Sequence, residues 1–483
     1  MYRPRSYHSD IGDVEIIEKD GILHMFHLVI PNRDLIAHAV SFDGLSWEAV
    51  APALRTGNPG DWDDDMIRTV SVTRANGRYV MLYGATCRRE GGREERIMTA
   101  VSDDLMIWEK TPGFIPADPR FYEQLHQNPD HVSWRDPKIY YEDGVYFCLI
   151  CARINHGPYL RRGCVGLMKS TDLVEWEVCP PLFAPYAFYD LECPQLYKIG
   201  GLYYLIACVI EDQTQRYWVS KSISGPFEPA GNPLLMPAWS HYAGRLARFQ
   251  GRDVFACWTF ALEDGPSPFG LQIAKGHVIK YVPAVLDVRQ DNNGSLYLCS
   301  PAAWENYAGQ TVPWDKAEHS LCMHNPTAFM TDHTLTVLEG MEACCAQFPD
   351  IHDFTLKAQL SVAAHSGGVC FHLDEDAAGY FLEFCPTRGT VRLIKHAHCT
   401  LESGQPWFDY RVLQECAADF SMGSISILLR HIGGEIEISL NGRVCFSTVT
   451  TALHTGCIGI YAQNGSVNVQ NMSIISMRIP ENR

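Results

Sequence analysis

At 483 residues the chain is too long for one ordinary domain, and its 46% hydrophobic content is enough for a large core. A formal net charge of −17 excludes the basic footprint of a nucleic-acid binder. No apolar run approaches the about 20 residues of a membrane-spanning helix, and the start, MYRPRSYHSDIGDVEII, shows neither an apolar core nor a cleavage pattern of a secretory signal. The 18 cysteines are irregularly spaced and read as reduced, buried thiols. Cys148 and Cys151 form a CxxC by letter, but their offset within the strand-like VYFCLICAR puts them on opposite faces. The expectation is a cytoplasmic protein with no nucleic-acid or membrane partner.

In chain order, a repeat comes first. Ser41–Trp47 (SFDGLSW), Ser102–Trp108 (SDDLMIW) and Ser170–Trp176 (STDLVEW) all read S-x-D-x-x-x-W, and Ser222–Phe227 reads as a degraded fourth copy. Each follows a short β-type run, LIAHAV, RIMTAV, GCVGLMK or QRYWVSK. Earlier in each unit an aromatic or aliphatic strand follows a turn signal: Asp20-Gly21, Asn76-Gly77, Asp143-Gly144 or Gly200-Gly201. The unit is strand, tight turn, strand, strand, Asp turn, Trp strand, recurring at roughly 50–70-residue intervals. A fifth unit is expected from Arg252 through GLQIAKG to about Tyr281. These units predict an all-β chain: a five-bladed β-propeller over 1–290, a connecting segment over 291–342, and an antiparallel β-sandwich over 343–483.

Acids recur where the innermost strands begin. They are Asp13 in IGDVEII, with Asp10 nearby, Asp136 in SWRDPKIYYEDGVYF, and Glu192 in YDLECPQLY. Equivalent strand starts converge at one end of a propeller's channel, so three carboxyls from three blades are expected in one pocket, as glycoside hydrolysis requires. A nucleophilic carboxylate must stay ionised, whereas an acid/base must hold a proton near neutral pH. Arg135, turned into the pocket, would keep Asp136 ionised and bind substrate hydroxyls.

The Arg135-Asp136-Pro137 and Glu192-Cys193-Pro194 triplets, with the early strand-entry acid, resemble glycoside hydrolase family 32, the β-fructofuranosidases, invertases and levanases. His241-Tyr242-Ala243-Gly244-Arg245 is similar to that family's FYA segment. The resemblance implies a retaining mechanism without a cofactor or metal. Asp13 is then the nucleophile, Glu192 the acid/base and Asp136 the stabiliser of the oxocarbenium-like transition state. Two departures stand out. The family's W-[MN]-N-D-P-N-G is replaced by D-I-G-D-V-E-I-I, and its EC-P-D is ECPQ, with Gln195 for the acid. Asp13 rather than Asp10 lies at nearly the family's interval before His24-Met25-Phe26.

Around these acids, Arg135, Trp62, Asp63, Tyr189, Gln195, Trp239 and Tyr242 are the candidate substrate contacts, the aromatics by stacking on sugar faces. His126 and His131 flank the approach to SWRDP and are candidates for the pocket wall or a surface loop. The substrate expected is a small fructose-containing oligosaccharide, and the oligomeric state is left open between monomer and homodimer. Two alternatives remain at this stage: a family-43-like arabinofuranosidase or xylosidase, which would invert, and a non-catalytic sugar-binding propeller.

Overall fold

The computed structural model describes residues 2–3, 10–236, 241–260, 280–348, 351–400, 403–421, 423–450 and 455–479. Five antiparallel sheets follow one another along the first three hundred residues, spanning 10–55, 66–110, 134–183, 191–234 and 242–299. In the first four, the first four strands are neighbours in chain order, the arrangement of a propeller blade, and in the first sheet Leu54–Arg55 also pairs with the third strand. Apolar cores lie between successive blades. Phe26 and Ile36 of the first meet Met81 and Tyr83 of the second, and Leu149 and Val165 of the third meet Leu205 and Trp218 of the fourth. Among the described residues no helix is long and apolar enough to cross a membrane.

The S-x-D-x-x-x-W repeat is a turn with a fixed set of hydrogen bonds. Ser41, Ser102 and Ser170 each end a third strand, and each hydroxyl accepts the backbone N–H three residues on, at 2.8–2.9 Å. Asp43, Asp104 and Asp172 accept the two N–H groups that follow. The residue at the corner, Gly44, Leu105 or Leu173, has φ of 65–76°, a left-handed conformation that the leucines hold only because the side-chain bonds overdetermine the turn. In the fourth blade the equivalent serine is Ser220, not Ser222. Its hydroxyl accepts the Ser222 N–H at 3.0 Å, and Ser222 occupies the place of the aspartate.

The fifth blade extends past the expected boundary. Its outer strands are Leu286–Gln290 and Leu296–Cys299, and the compact first unit runs on to Pro301. The GLQIAKG stretch expected there lies outside the described residues. The strands Ala308–Pro313, His319–Leu321 and Ala328–Thr331 pair within the C-terminal sheet, so most of the expected connecting segment belongs to the second unit. Their largely exposed, weakly apolar sequences carry little strand signal. That unit is an antiparallel β assembly organised on two long paired strands, Phe354–Leu373 and Cys457–Met477.

Candidate active site

All five innermost strands break register at the same level, each placing two residues opposite one on its neighbour: Gly12-Asp13, Arg68-Thr69, Asp136-Pro137, Cys193-Pro194 and Ala243-Gly244. A β-bulge re-aims side chains at such a point. Asp136, Cys193 and Ala243 sit in these bulges at φ of 47–56°. The register ranks the site residues. Ile11, Ile67, Arg135, Glu192 and Tyr242 form one ring just before the bulges; Val14, Val70, Lys138, Gln195 and Arg245 form another just after. Asp13 takes the second bulge position, where the third blade has Pro137. The first-blade counterpart of Asp136 is Gly12.

A cavity of about 160 Å³ opens at this level, lined by Asp13, Leu28, Arg33, Arg68, Thr69, Glu95, His131, Arg135, Asp136 and Glu192. The three acids of the strand entries thus face one space. Asp13 is fixed at both oxygens, by Thr69 Oγ1 at 2.5 Å and Trp258 Nε1 at 3.3 Å. Glu192 accepts from Arg135 Nη2 at 2.7 Å and from the Tyr242 hydroxyl at 2.5 Å. Asp136 accepts the Cys193 N–H at 3.0 Å. Asp10 stands outside, accepting the Lys280 N–H at 3.4 Å.

Arg135 does not serve Asp136 in the way expected. Its guanidinium is donated to Glu95 at 3.2 Å, Asp190 at 2.9 Å and Glu192, and approaches Asp136 only to 3.8 Å. Burial pushes Asp136 up to about 6; Arg135 offsets this only in part, and the nearby charges of Asp13 and Glu192 add to it. Between the ordinary aspartate range and about pH 6 the folded state therefore binds a proton on Asp136 that the unfolded chain has released. Stability from this group is present below the ordinary aspartate range and is lost as pH rises toward about 6. Denaturation of wild type and Asp136→Asn between about pH 4 and pH 7 tests the sign: wild type loses stability relative to the variant as pH rises. Parallel curves would remove the assigned burial cost.

The charges are arranged around Glu95, whose side chain is fully buried. Burial pushes its carboxyl up, but Arg68 at 2.8 Å, Arg135 and His131 overcome this and hold it well below the usual range. Deeper along the axis, buried Glu15 takes Lys138 Nζ at 2.7 and 3.0 Å, with Arg245 at 3.6 Å. Arg245 also donates to the carbonyls of Cys193 and Pro194, tying it to the fourth blade's bulge.

Several candidate contacts have other roles. Gln195 is fully buried and joins blades four and five, donating to the Gly244 carbonyl at 2.8 Å and accepting the Leu246 N–H at 2.9 Å. Asp63 is buried between the Tyr83 hydroxyl and Lys110. Trp62 packs on Phe114 with Arg89 3.8 Å from its ring centroid. Tyr189 contacts the Tyr159 hydroxyl at 3.2 Å and Arg153 stacks on its ring. None of the four lines the cavity. His131 lines it and His126 is exposed. Trp239 lies outside the described residues. Asp13, Asp136 and Cys193 offer three potential metal-ligating atoms within 4.8 Å of one another. Burial holds the Cys193 thiol protonated, however, and its N–H and S–H both face Asp136.

Arg33, Arg68, Thr69 and Glu95 were not among the sequence candidates. Arg33 sits at φ 54°, with its N–H on the Val29 carbonyl and its own carbonyl on the Ile67 N–H, each at 2.8 Å. Among the described residues it has no ion-pair partner, although acids line the same cavity. Lys280 is similar: its ammonium stands 3.9 Å from the Trp258 ring centroid, and burial, opposed by the Asp13 and Asp10 charges, lowers its pKa.

Residues 13–265 match the Glycosyl hydrolases family 32 N-terminal domain, so the match begins at Asp13 and leaves Asp10 outside. Sucrose-6-phosphate hydrolase of Bacillus subtilis (strain 168) is 28% identical over 173 residues, 34% of this chain and 33% of that protein. Raffinose invertase of Escherichia coli is 29% identical over 177 residues, 35% and 34% of the two chains. The chain thus spans about a third of the length of these curated relatives. Among solved structures, sucrose-6-phosphate hydrolase from Lactobacillus gasseri gives a TM-score of 0.69 at 18% identity, covering 98% of this chain and 93% of that one. Fructan 1-exohydrolase IIa from Cichorium intybus gives 0.69 at 16% identity, covering 98% of each. At these identities the structural likeness speaks for the fold, and the sequence match over more than half the chain carries the relationship: the chain belongs to glycosyl hydrolase family 32.

Proposed function

We propose that the chain is a retaining glycosidase that hydrolyses β-fructofuranosides. The observation that carries this reading is the convergence of Asp13, Asp136 and Glu192 on one small polar cavity. Asp13, held by Thr69 and Trp258, attacks the anomeric carbon as Glu192 gives its proton to the departing oxygen. Glu192 then takes a proton from water, which cleaves the fructosyl–enzyme bond. Asp136, ionised, faces the positive charge that develops on the ring. Arg135 and the Tyr242 hydroxyl hold the Glu192 carboxyl in place through both steps. The cavity is far smaller than the roughly 300–1,000 Å³ of drug-sized ligand sites, which suits one terminal sugar ring and supports release from chain ends. The inverting and purely binding alternatives gain nothing from the family assignment. Fructose release from sucrose, inulin- and levan-type oligomers, with the anomer followed by NMR as it forms, tests the reading. Initial product in the substrate's anomeric form supports it. A folded protein silent across the panel, or inverted product, overturns it.

Arg33 and Lys280 favour a second, narrower reading, a fructoside carrying a phosphate, as in the name of the sucrose-6-phosphate hydrolases. A partly exposed guanidinium without an ion-pair partner among the described residues, lining the cavity that holds the nucleophile, is available to an anion or hydroxyl of the substrate. A charge-assisted hydrogen bond of about 1.5–3 kcal/mol corresponds to roughly 10–150-fold in affinity. Arg33→Ala accordingly raises KM for sucrose 6-phosphate by about that factor and changes KM for sucrose much less. Equal effects on both substrates would assign Arg33 to sugar hydroxyls instead.

A further inference from the structure

We propose that Cys345 and Cys370, with Cys322 and Cys457 beside them, form a binding site for a soft monovalent metal ion of the Cu(I) type in the C-terminal unit. Most buried cysteines are inert small hydrophobes, and isolated ones carry no such inference. Here the topology gathers thiols that are far apart in sequence. Cys345 and Cys370 lie on the two strands that flank Cys457–Met477, and both are in register with Gly459. Their Cα atoms are thus two strand spacings apart, roughly 9–10 Å, beyond the about 7 Å that a disulfide can span. Even so, their sulfurs are 3.6 Å apart. They meet because Gly459 has no side chain between them: a Cβ there would stand 2.7 Å from Cys345 Sγ.

Two sulfurs that touch but cannot bond fit a bridging ion. Metal–sulfur bonds of about 2.3 Å put two thiolates roughly 3.8 Å apart around a tetrahedral ion and about 4.6 Å apart around a linear one. Cys322, whose Sγ donates to the Ser320 carbonyl at 3.5 Å, and Cys457, two residues before Gly459 on the same face, are both close enough to interact with Cys345. Cys345 and Cys370 are buried while Cys322 and Cys457 are only partly so, which supplies a route inward. The donors are sulfur throughout, and Met323 and Met341 pack against the same cluster. Thiolate with thioether selects a soft d10 ion over zinc, and among the described residues no three of these thiols lie within 4.8 Å of one another, which suits two-coordination better than a closed tetrahedron. Each thiol that binds gives its proton to solvent, so coordination by two releases two protons and changes no oxidation state.

The test is Cu(I) titration of the whole reduced protein without oxygen, against a chromophoric Cu(I) chelator. The expected result is one equivalent retained by wild type and affinity lowered about tenfold or more in Cys345→Ser/Cys370→Ser. Cys416→Ser/Cys445→Ser, which removes a second pair of interacting cysteines from the same unit, keeps it. A second measurement needs no variant: bound Cu(I) protects Cys322 and Cys457 from alkylation, read by peptide mass. No retention by wild type, loss of binding with the Cys416/Cys445 pair instead, unprotected Cys322 and Cys457, or preference for Zn²⁺ would each overturn the assignment.

Discussion

In Glu192→Gln, turnover of a fructoside with an ordinary sugar leaving group falls about 10²–10⁴-fold while the protein stays folded. The size follows from the role, and the folding from the contacts. Glutamine keeps an acceptor for Arg135 and turns its amide toward the Tyr242 hydroxyl, which then accepts instead of donating. The variant lacks only the exchangeable proton. Two further readings separate that role from simple binding. A fructoside whose leaving group departs without protonation recovers the first step. Azide, a nucleophile that needs no base, then recovers the second and leaves a fructosyl azide of retained configuration. In Asp13→Ala the same anion can only replace the missing carboxylate, attack from its side and give the inverted azide. Loss expressed wholly in KM, or no rescue in either variant, would return Glu192 and Asp13 to the binding-only alternative.

The blades were legible because their signal is local. Ser, Asp and Trp recur at fixed offsets, and each serves a hydrogen bond or packing contact within its own turn. The strand-entry acids Asp136 and Glu192 were legible for a similar reason: the RDP and ECP strings mark the bulges that aim them. What stayed hidden depends on partners distant in sequence. Gln195 looked like an altered sugar contact because it follows Glu192, but it lies beyond the Cys193-Pro194 bulge, one ring further along the strand, where its amide is tied to the fifth blade. Asp63, in a run of three acids, read as a substrate contact, but Tyr83 and Lys110 enclose it. Arg33 carries no motif; only its left-handed backbone and the cavity beside it mark it out. The thiols around Gly459 likewise come together through strand register alone.

Glu95 shows the same limit with the largest consequence for stability. In Arg93-Glu94-Glu95-Arg96 it reads as one letter of a charged surface run, yet it carries the counter-charge for the cavity floor. Arg68, Arg135 and the Trp134 N–H all reach it within 3.2 Å. Removing one member of a buried ion set leaves its partners charged and unpaired, which costs about 3–5 kcal/mol. Glu95→Gln is expected to lose that much in thermal or denaturant unfolding. Because Arg135 also holds Glu192, kcat should fall as well, though by less than in Glu192→Gln. Adding Arg68→Met to Glu95→Gln removes one stranded cation and recovers part of the stability, a coupling of about 0.5–3 kcal/mol in a double-mutant cycle. Full additivity would mean that the two side chains do not share one electrostatic unit. A Glu95→Gln protein as stable as wild type would mean that the cavity's arginines are balanced by Asp136, Asp190 and Glu192 alone. In that case those three carboxylates would supply the counter-charge of the cavity, and the role of Glu95 would have to be abandoned.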